Sequence, residues 1–329
     1  MPKLVQNNTK EETLTSRYLV WDAHSCLPLN EGEPLSDILR HKRAGYDYVS
    51  VNIGMDKQSI EQIFKTVTYL TDFINRKDSG CTLVGNISEL RKAQRNGLLA
   101  ISFDLEGLEA ISHDLSVMDD LYRLGLRQVL FAYNEKNKLS GGCLTPEFGL
   151  TPLGVKAVKK ANELGILLDC SHISAKASNE IMQLSIQPVI FSHSNPFALY
   201  EHPRNITDQQ ILACADKGGV IGINGIGIFI GQNINDTKSW FSHFEYVVDL
   251  VGWEHVGIGL DYCYSAREMA IFSANNKAVC EPYQQIKMVA PEQLFELTVL
   301  FEARGYSQTM IEGILGGNFL RVASNVWRK

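Results

Sequence analysis

The chain has 329 residues, 45% hydrophobic and 21% charged, with a formal net charge of -6. That is the make-up of a globular enzyme of one large or two modest domains, and its acidic balance gives no reason to expect nucleic acid or an anionic membrane as partner. No apolar run reaches bilayer-spanning length, the opening MPKLVQNNTKEETLTSRY has no apolar signal region, and the seven cysteines lack disulfide-framework or zinc-knuckle spacing, so a reducing, cytoplasmic setting is expected.

Residues 1–17 read as a polar leader and 18–329 as a single domain. YLVWDAH (18–24) is the first strand-like run, followed by a short helix over 34–45 that stops at Gly45. YDYVSVNIG (46–54) reads as a second strand. Residues 59–77 place Ile60, Ile63, Phe64, Val67, Leu70 and Ile74 at helical spacing. A smaller helix (88–97) leads into LLAISFDLEG, a third strand carrying Glu106 near its end. A helix over 114–125, the strand RQVLFAYN (127–134) and a helix opened by Thr151-Pro152 come next. ILLDCSH (166–172) and PVIFSHSN (188–195) flank a helical segment, and each apolar run ends in Ser-His, so a parallel strand–helix–strand unit brings His172 and His193 to one rim. A capped helix (207–218), the strand GVIGING, an amphipathic helix (237–253) and the strand HVGIGLDY with Asp261 complete the alternation. Residues 262–289 read as irregular, a loop over the site, before two final helices at 291–305 and 307–327.

Eight strands alternating with helices, with no linker and no internal repeat, predict an α/β fold: a single (β/α)8 barrel of the TIM type with C-terminal helices; an open doubly wound sheet is the rival. In such a barrel the chemistry sits at the C-terminal strand ends. Those ends carry His24 with Cys26, Asn52, Glu106, Tyr133, His172, His193, Asn224 and Asp261. One histidine ending a strand is ordinarily a hydrogen-bonded structural residue; three with two carboxylates and a thiol on one rim are costly to bury unless a cation or a network compensates, and a metal site is favoured over a purely structural cluster. Imidazole, carboxylate and thiolate together suit zinc, and a carboxylate between two ions can bridge them. Asp22 is either a partner of His24 or a residue on the opposite pleat face. Arg204 in HPRNITD is either a carboxylate clamp above the site or a surface arginine beside the Thr207 helix cap. His113, His202, His243 and His255 read as structural or solvated. No serine nucleophile elbow, Walker loop or dinucleotide loop is present.

The stretches LTPEFGLTPLGVKAVKKANELGILLDCSHIS, PVIFSHSN, HPRNITDQQI, VGIGLDY and GGNFLRV, in this order and spacing, resemble the membrane (renal) dipeptidase family of zinc peptidases, amidohydrolase-type barrels, over nearly the whole chain. The resemblance implies hydrolysis of a dipeptide or related small amide at a centre of one or two zinc ions. By that resemblance His24 holds one ion, His172 and His193 the other, and Glu106 bridges them. Arg204 holds the substrate's C-terminal carboxylate, and Asp261 handles the substrate amine or the proton for the leaving nitrogen. Two positions depart from the family pattern. Cys26 in HSCLP stands where a metal-binding aspartate is usual, and Tyr133 in FAYN, a substrate contact, stands where a histidine is usual. Three outcomes compete at Cys26: a thiolate-ligated zinc, an empty or weakly filled first site, or a buried inert thiol beside a relocated metal. The expected partner is a small, dipeptide-like molecule, with a homodimer left open. The alternative is a metal-site-altered homologue without dipeptidase activity that binds a small molecule or regulates.

Overall fold

In the computed structural model, which describes residues 18–29 and 32–328, ten strands form one parallel sheet. They are β1 (Trp21–Cys26), β2 (Tyr48–Met55), β3 (Cys81–Leu83), β4 (Leu99–Glu106), β5 (Leu126–Leu130), β6 (Leu167–Asp169), β7 (Ile190–Phe191), β8 (Val220–Asn224), β9 (Val256–Gly259) and β10 (Tyr262–Cys263). The order β1-β2-β4-β5-β6-β7-β8-β9 closes where Asp22 of β1 pairs with Ile258 of β9, so the sheet is the predicted eight-stranded barrel and not an open one. The segment read as a polar leader, 1–17, lies outside the described residues.

Two short strands complete the edges. β3 lies against the first half of β4 (Leu99–Ile101), and β5 takes over from Phe103 onward. β10 continues β9 along β1, pairing Ser25 with Tyr262 and Cys26 with Cys263. Between β9 and β10 the chain kinks at Asp261, which adopts a left-handed φ of 56°.

Strand alternation decides what faces the barrel axis. On β2 and β4, Val49, Val51, Ile53, Ile101, Phe103 and Leu105 pack outward into the main apolar core under the helices. The residues between them, Tyr48, Ser50, Asn52, Ser102, Asp104 and Glu106, point inward and are all buried. They form a ladder of hydrogen bonds: Tyr48 Oη with Ser102 Oγ (2.5 Å), Ser50 Oγ to Asp104 Oδ2 (2.7 Å) and Asn52 Nδ2 to Glu106 Oε2 (2.8 Å). The N-terminal mouth is apolar, plugged by Trp21, Tyr48, Phe319 and Trp327, with Trp21 and Tyr48 ring centroids 3.7 Å apart. The barrel is thus greasy at one end and polar toward the other.

The helices follow from their caps and stripes. Ser59 and Gln62 form a capping box that opens Ile60–Ile74, whose Ile63, Val67, Leu70 and Ile74 are buried. Thr151 caps Pro152–Leu164, which ends at Gly165 with φ 76°.

Two expectations need correction. Residues 262–289 are not irregular: they hold β10 and helices Ala266–Asn275 and Lys277–Cys280. The overlooked signal is Ser265, whose hydroxyl accepts from the Glu268 amide in an S-x-x-E start. The final stretch 307–327 is not one regular helix either, because Gly313–Gly317 forms a π-helical turn. A Cβ on Gly316 would lie 2.3 Å from the Leu19 carbonyl oxygen, so the backbone there packs directly against the chain entering β1.

Candidate metal centre

The C-terminal rim brings His24, Cys26, Glu106, His172, His193 and Asp261 together. Glu106, at the end of β4, is the hub. Its Oε1 lies 3.0 Å from His172 Nε2, 3.4 Å from His193 Nε2 and 3.5 Å from His24 Nε2. The Nε2 atoms of His172 and His193 are themselves 2.8 Å apart. Around His24 Nε2 also stand Cys26 Sγ at 3.6 Å and Asp261 Oδ1 at 3.6 Å.

The other ring nitrogens show which atoms carry protons. His172 Nδ1 donates to Asn134 Oδ1 (2.8 Å). The Ser192 hydroxyl donates to Asp169 Oδ2, so its lone pair accepts from His193 Nδ1 (2.6 Å). His24 Nδ1 donates to Asp104 Oδ1 (3.1 Å). All three imidazoles carry a proton on Nδ1, so His172 and His193, held neutral, present bare Nε2 lone pairs toward Glu106, and His24 Nε2 faces the same oxygen. Glu106 Oε1 is buried and has no hydrogen-bond partner. Two imidazole lone pairs 2.8 Å apart and meeting one carboxylate oxygen are repulsive unless a cation stands among them. The donor set and its backing hydrogen bonds therefore fit a metal ion.

Without an ion, the positive charge the ring calls for falls on His24. Burial lifts the Glu106 carboxyl to about 8, against the lowering pull of His24. Burial opposes a charged His24, yet Asp104 and Glu106 outweigh it and hold its pKa well above the imidazole range. Burial, with the positive charge of Arg204 and His24 nearby, keeps His172 and His193 far below it. Burial also raises the Cys26 thiol and the Asp261 carboxyl, while His24 pulls both back.

Backbone geometry places these groups. His172 and Asp261 both have left-handed φ values, 66° and 56°, which side chains adopt rarely and at a cost of roughly 1–3 kcal/mol. The Asp261 amide donates to the His24 carbonyl (2.9 Å), and its Oδ2 accepts from Asn224 Nδ2 (2.9 Å), leaving Oδ1 turned to His24. His172 turns out of its strand so that its carbonyl receives the Cys143 amide (2.8 Å).

Tyr133 and Arg204 flank the ring. The Tyr133 side chain stacks on His172 with centroids 4.3 Å apart, and its amide is anchored on Asp56 Oδ2 (2.8 Å). Arg204 is 2% exposed, so the surface reading of that residue is wrong. One of its Nη atoms donates to the His193 carbonyl (3.2 Å), its guanidinium lies 5.4 Å from the Phe229 ring centre, and its Nε has no partner. The cavity above the ring has Cys26, Glu106, His172 and Asp261 in its floor and Leu29, Met55, Tyr133, Phe229, Met269 and Phe272 in its walls. Met269 and Phe272 come from the helix in the stretch expected to be irregular.

Several participants escape a reading of strand ends. Asp104 lies two residues before Glu106, on the same face of β4. Asp169, Ser192 and Asn134 back the two other histidines. Polar residues at every second position in YVSVN and SFDLE were the available signal for Asp104. Asn134 had none, because it reaches His172 through a turn. Asp22 does not back the His24 ring, whose Nδ1 goes to Asp104: its carboxylate accepts from the Leu260 amide (2.8 Å), Ser25 Oγ (2.6 Å) and His41 Nε2 (2.9 Å), tying β1 to β9. His202, His243 and His255 each bond a backbone carbonyl away from the ring, and His113 is exposed.

Known proteins share this architecture. A solved amidohydrolase from Pseudomonas aeruginosa superimposes with a TM-score of 0.88 at 23% identity, over 96% of this chain and 99% of that one. A metallopeptidase from Rhodobacter sphaeroides, solved with a phosphinate mimic of the dipeptide L-Ala-D-Ala, superimposes with a TM-score of 0.79 at 20% identity, over 94% and 99%. An uncharacterized dipeptidase of Schizosaccharomyces pombe is 28% identical over 249 residues, 72% of this chain; the match spans 54% of that relative's length. The family described as membrane dipeptidase, peptidase family M19, matches residues 32–274. The chain belongs to the membrane dipeptidase family of metallopeptidases.

Proposed function

We propose that this protein hydrolyses the amide bond of a dipeptide or a related small amide with the help of zinc held by His24, Cys26, Glu106, His172 and His193. The observation that carries the proposal is the meeting of three Nε2 atoms at an unpartnered Glu106 oxygen, beside a buried arginine whose Nε is also unpartnered. When bound, zinc supplies Lewis acidity that makes water nucleophilic at neutral pH and polarises the scissile carbonyl. The protein's own groups do the rest.

Arg204 receives the substrate's C-terminal carboxylate, whose negative charge matches a buried, under-bonded guanidinium. This sets the distance from the carboxylate to the peptide bond and delivers the bond above Glu106. Glu106, oriented by Asn52 through Oε2, accepts a proton from the attacking water. Asp261, oriented by Asn224, binds the substrate amine or passes the proton to the leaving nitrogen. Tyr133, stacked on His172, contacts the substrate beside the scissile bond. The apolar walls exclude bulk water, which strengthens each charged contact.

The test is metal analysis of the purified protein followed by a dipeptide panel that includes L-Ala-D-Ala. Chelation should abolish hydrolysis, and added zinc should restore it. One observation favours a second reading: burial raises the Cys26 thiol, where the family pattern has an aspartate. Zinc-loaded protein that cleaves no member of the panel would transfer the assignment to a small-molecule-binding homologue without dipeptidase activity.

A further inference from the structure

The two sides of the ring do not offer the same donors. On one side stand two imidazoles and a carboxylate: His172, His193 and Glu106. On the other, His24 Nε2 is surrounded by a sulfur and two oxygens: Cys26 Sγ at 3.6 Å, Asp261 Oδ1 at 3.6 Å and Glu106 Oε1 at 3.5 Å. Zinc bonds nitrogen and oxygen at about 2.0–2.2 Å and sulfur at about 2.3 Å. Two such donors at a tetrahedral angle are then about 3.6 Å apart for nitrogen and sulfur, and about 3.4 Å for nitrogen and oxygen. Each of the three separations measured from His24 Nε2 matches that of two donors sharing one tetrahedral ion. His24, Cys26 and Asp261 also place one donor atom each within 4.8 Å of one another.

Three features hold the set in place. Cys26 ends β1, two residues after His24, so both side chains leave the same face of the strand. The left-handed turn at Asp261 and its amide bond to the His24 carbonyl bring the Asp261 carboxyl across from β9. Asn224 then binds Oδ2 and leaves Oδ1 for His24.

We propose that His24, Cys26 and Asp261, with Glu106 as the oxygen shared with the other side, form a thiolate-containing position for a borderline metal ion. This rests on the metal reading above but not on hydrolysis. Asp261 then acts as a ligand through Oδ1, and each carboxylate oxygen has lone pairs enough for Oδ2 to keep its Asn224 bond and still meet a substrate amine. A thiolate donor favours zinc, cobalt or cadmium over magnesium and manganese, so the two positions differ in selectivity. Cys263, the register neighbour of Cys26 in the same cavity, is outside the set, because its Sγ bonds the Ser265 carbonyl (3.4 Å).

The experiment strips the full chain with a chelator and titrates it with cobalt(II) chloride, reading the near-ultraviolet sulfur-to-cobalt charge-transfer band. The band is expected in the native chain and in Cys263→Ser, and is absent from Cys26→Ser. In Asp261→Asn the band remains but needs at least about tenfold more cobalt. Zinc added to the native chain should bleach the band and protect Cys26 from alkylation by iodoacetamide, a readout that needs no variant to fold. Cobalt bound without the band, no cobalt bound at all, a band that survives Cys26→Ser, or one that is lost in Cys263→Ser would each overturn the proposal. Unchanged cobalt affinity in Asp261→Asn would remove Asp261 from the ligand set and overturn the four-donor position. Hydrolysis without the band sinks this inference and leaves the proposed function standing; the band without hydrolysis does the reverse.

Discussion

Two pairs of histidines in this chain, three of the four rings buried and His202 half-buried, have opposite fates. His172 and His193 keep Nδ1 busy with Asn134 and Ser192 and present bare Nε2 atoms to a carboxylate. His202 and His243 spend Nε2 on the backbone carbonyls of Val279 and Ile230 and present nothing to any site. Burial holds both sets neutral, the second at about 4. What separates them is what the second nitrogen meets: a carboxylate oxygen in the first set, and in the second the Arg204 amide (3.1 Å, His202) or no polar partner (His243). A buried histidine with a depressed pKa is therefore no sign of a metal until its second nitrogen is traced.

The largest expected effect comes from crossing that line. His172→Ala or His193→Ala should remove the ion they share and lower turnover by at least about 100-fold, since even the groups behind a ligand are worth 10–100-fold in metal binding or activity. Zinc content and turnover, measured together, check this; full activity with unchanged zinc would end the metallohydrolase reading. His243→Phe, by contrast, should leave zinc content unchanged.

Arg204→Ala should raise KM by about 30- to 150-fold with a smaller change in kcat, because a charge-assisted bond to the substrate carboxylate is worth roughly 2–3 kcal/mol. An unchanged KM would show that Arg204 does not hold the substrate. Next in size, Asp104→Ala and Asn134→Ala should each weaken metal binding about 10- to 100-fold by freeing the ring of His24 or His172. Competition with a coloured chelator measures it, and equal loss at both positions in either variant would show that the two halves of the centre are not independently held.

The second set governs acid stability. His202 and His243 have pKa values of about 4 in the folded chain, depressed by burial, against an unfolded value of 6.5. Between pH 6.5 and 4 the unfolded chain binds more protons, so stability is intact above 6.5 and falls as the pH drops through that window. Each unit of such a shift corresponds to about 1.4 kcal/mol. Denaturant midpoints measured from pH 7 to 4 should fall less in His243→Phe than in the native chain, a difference from which the opposite contribution of raised carboxyls such as Glu106 cancels. Identical pH profiles in the two would show that the His243 ring is not held neutral in the fold.

How much of this the sequence determined varies with how local the cause is. Strand–helix alternation, the caps at Thr151 and Thr207, and the endings in His24, Glu106, His172, His193 and Asp261 were legible, because period and capping act over a few residues. The (β/α)8 barrel and its polar rim follow from them. Barrel closure of β9 on β1 was decided by tertiary structure, as were the turn of His172 toward Asn134, the burial of Arg204 and the helix Ala266–Asn275 that roofs the cavity. The proton positions on the three imidazoles were decided there too. Each depends on partners far along the chain: His24 reaches Asp104 across 80 residues and Leu260 reaches Asp22 across 238. A metal centre is read from lone-pair directions, and those exist only once distant strands have brought the partners of every ring nitrogen into place.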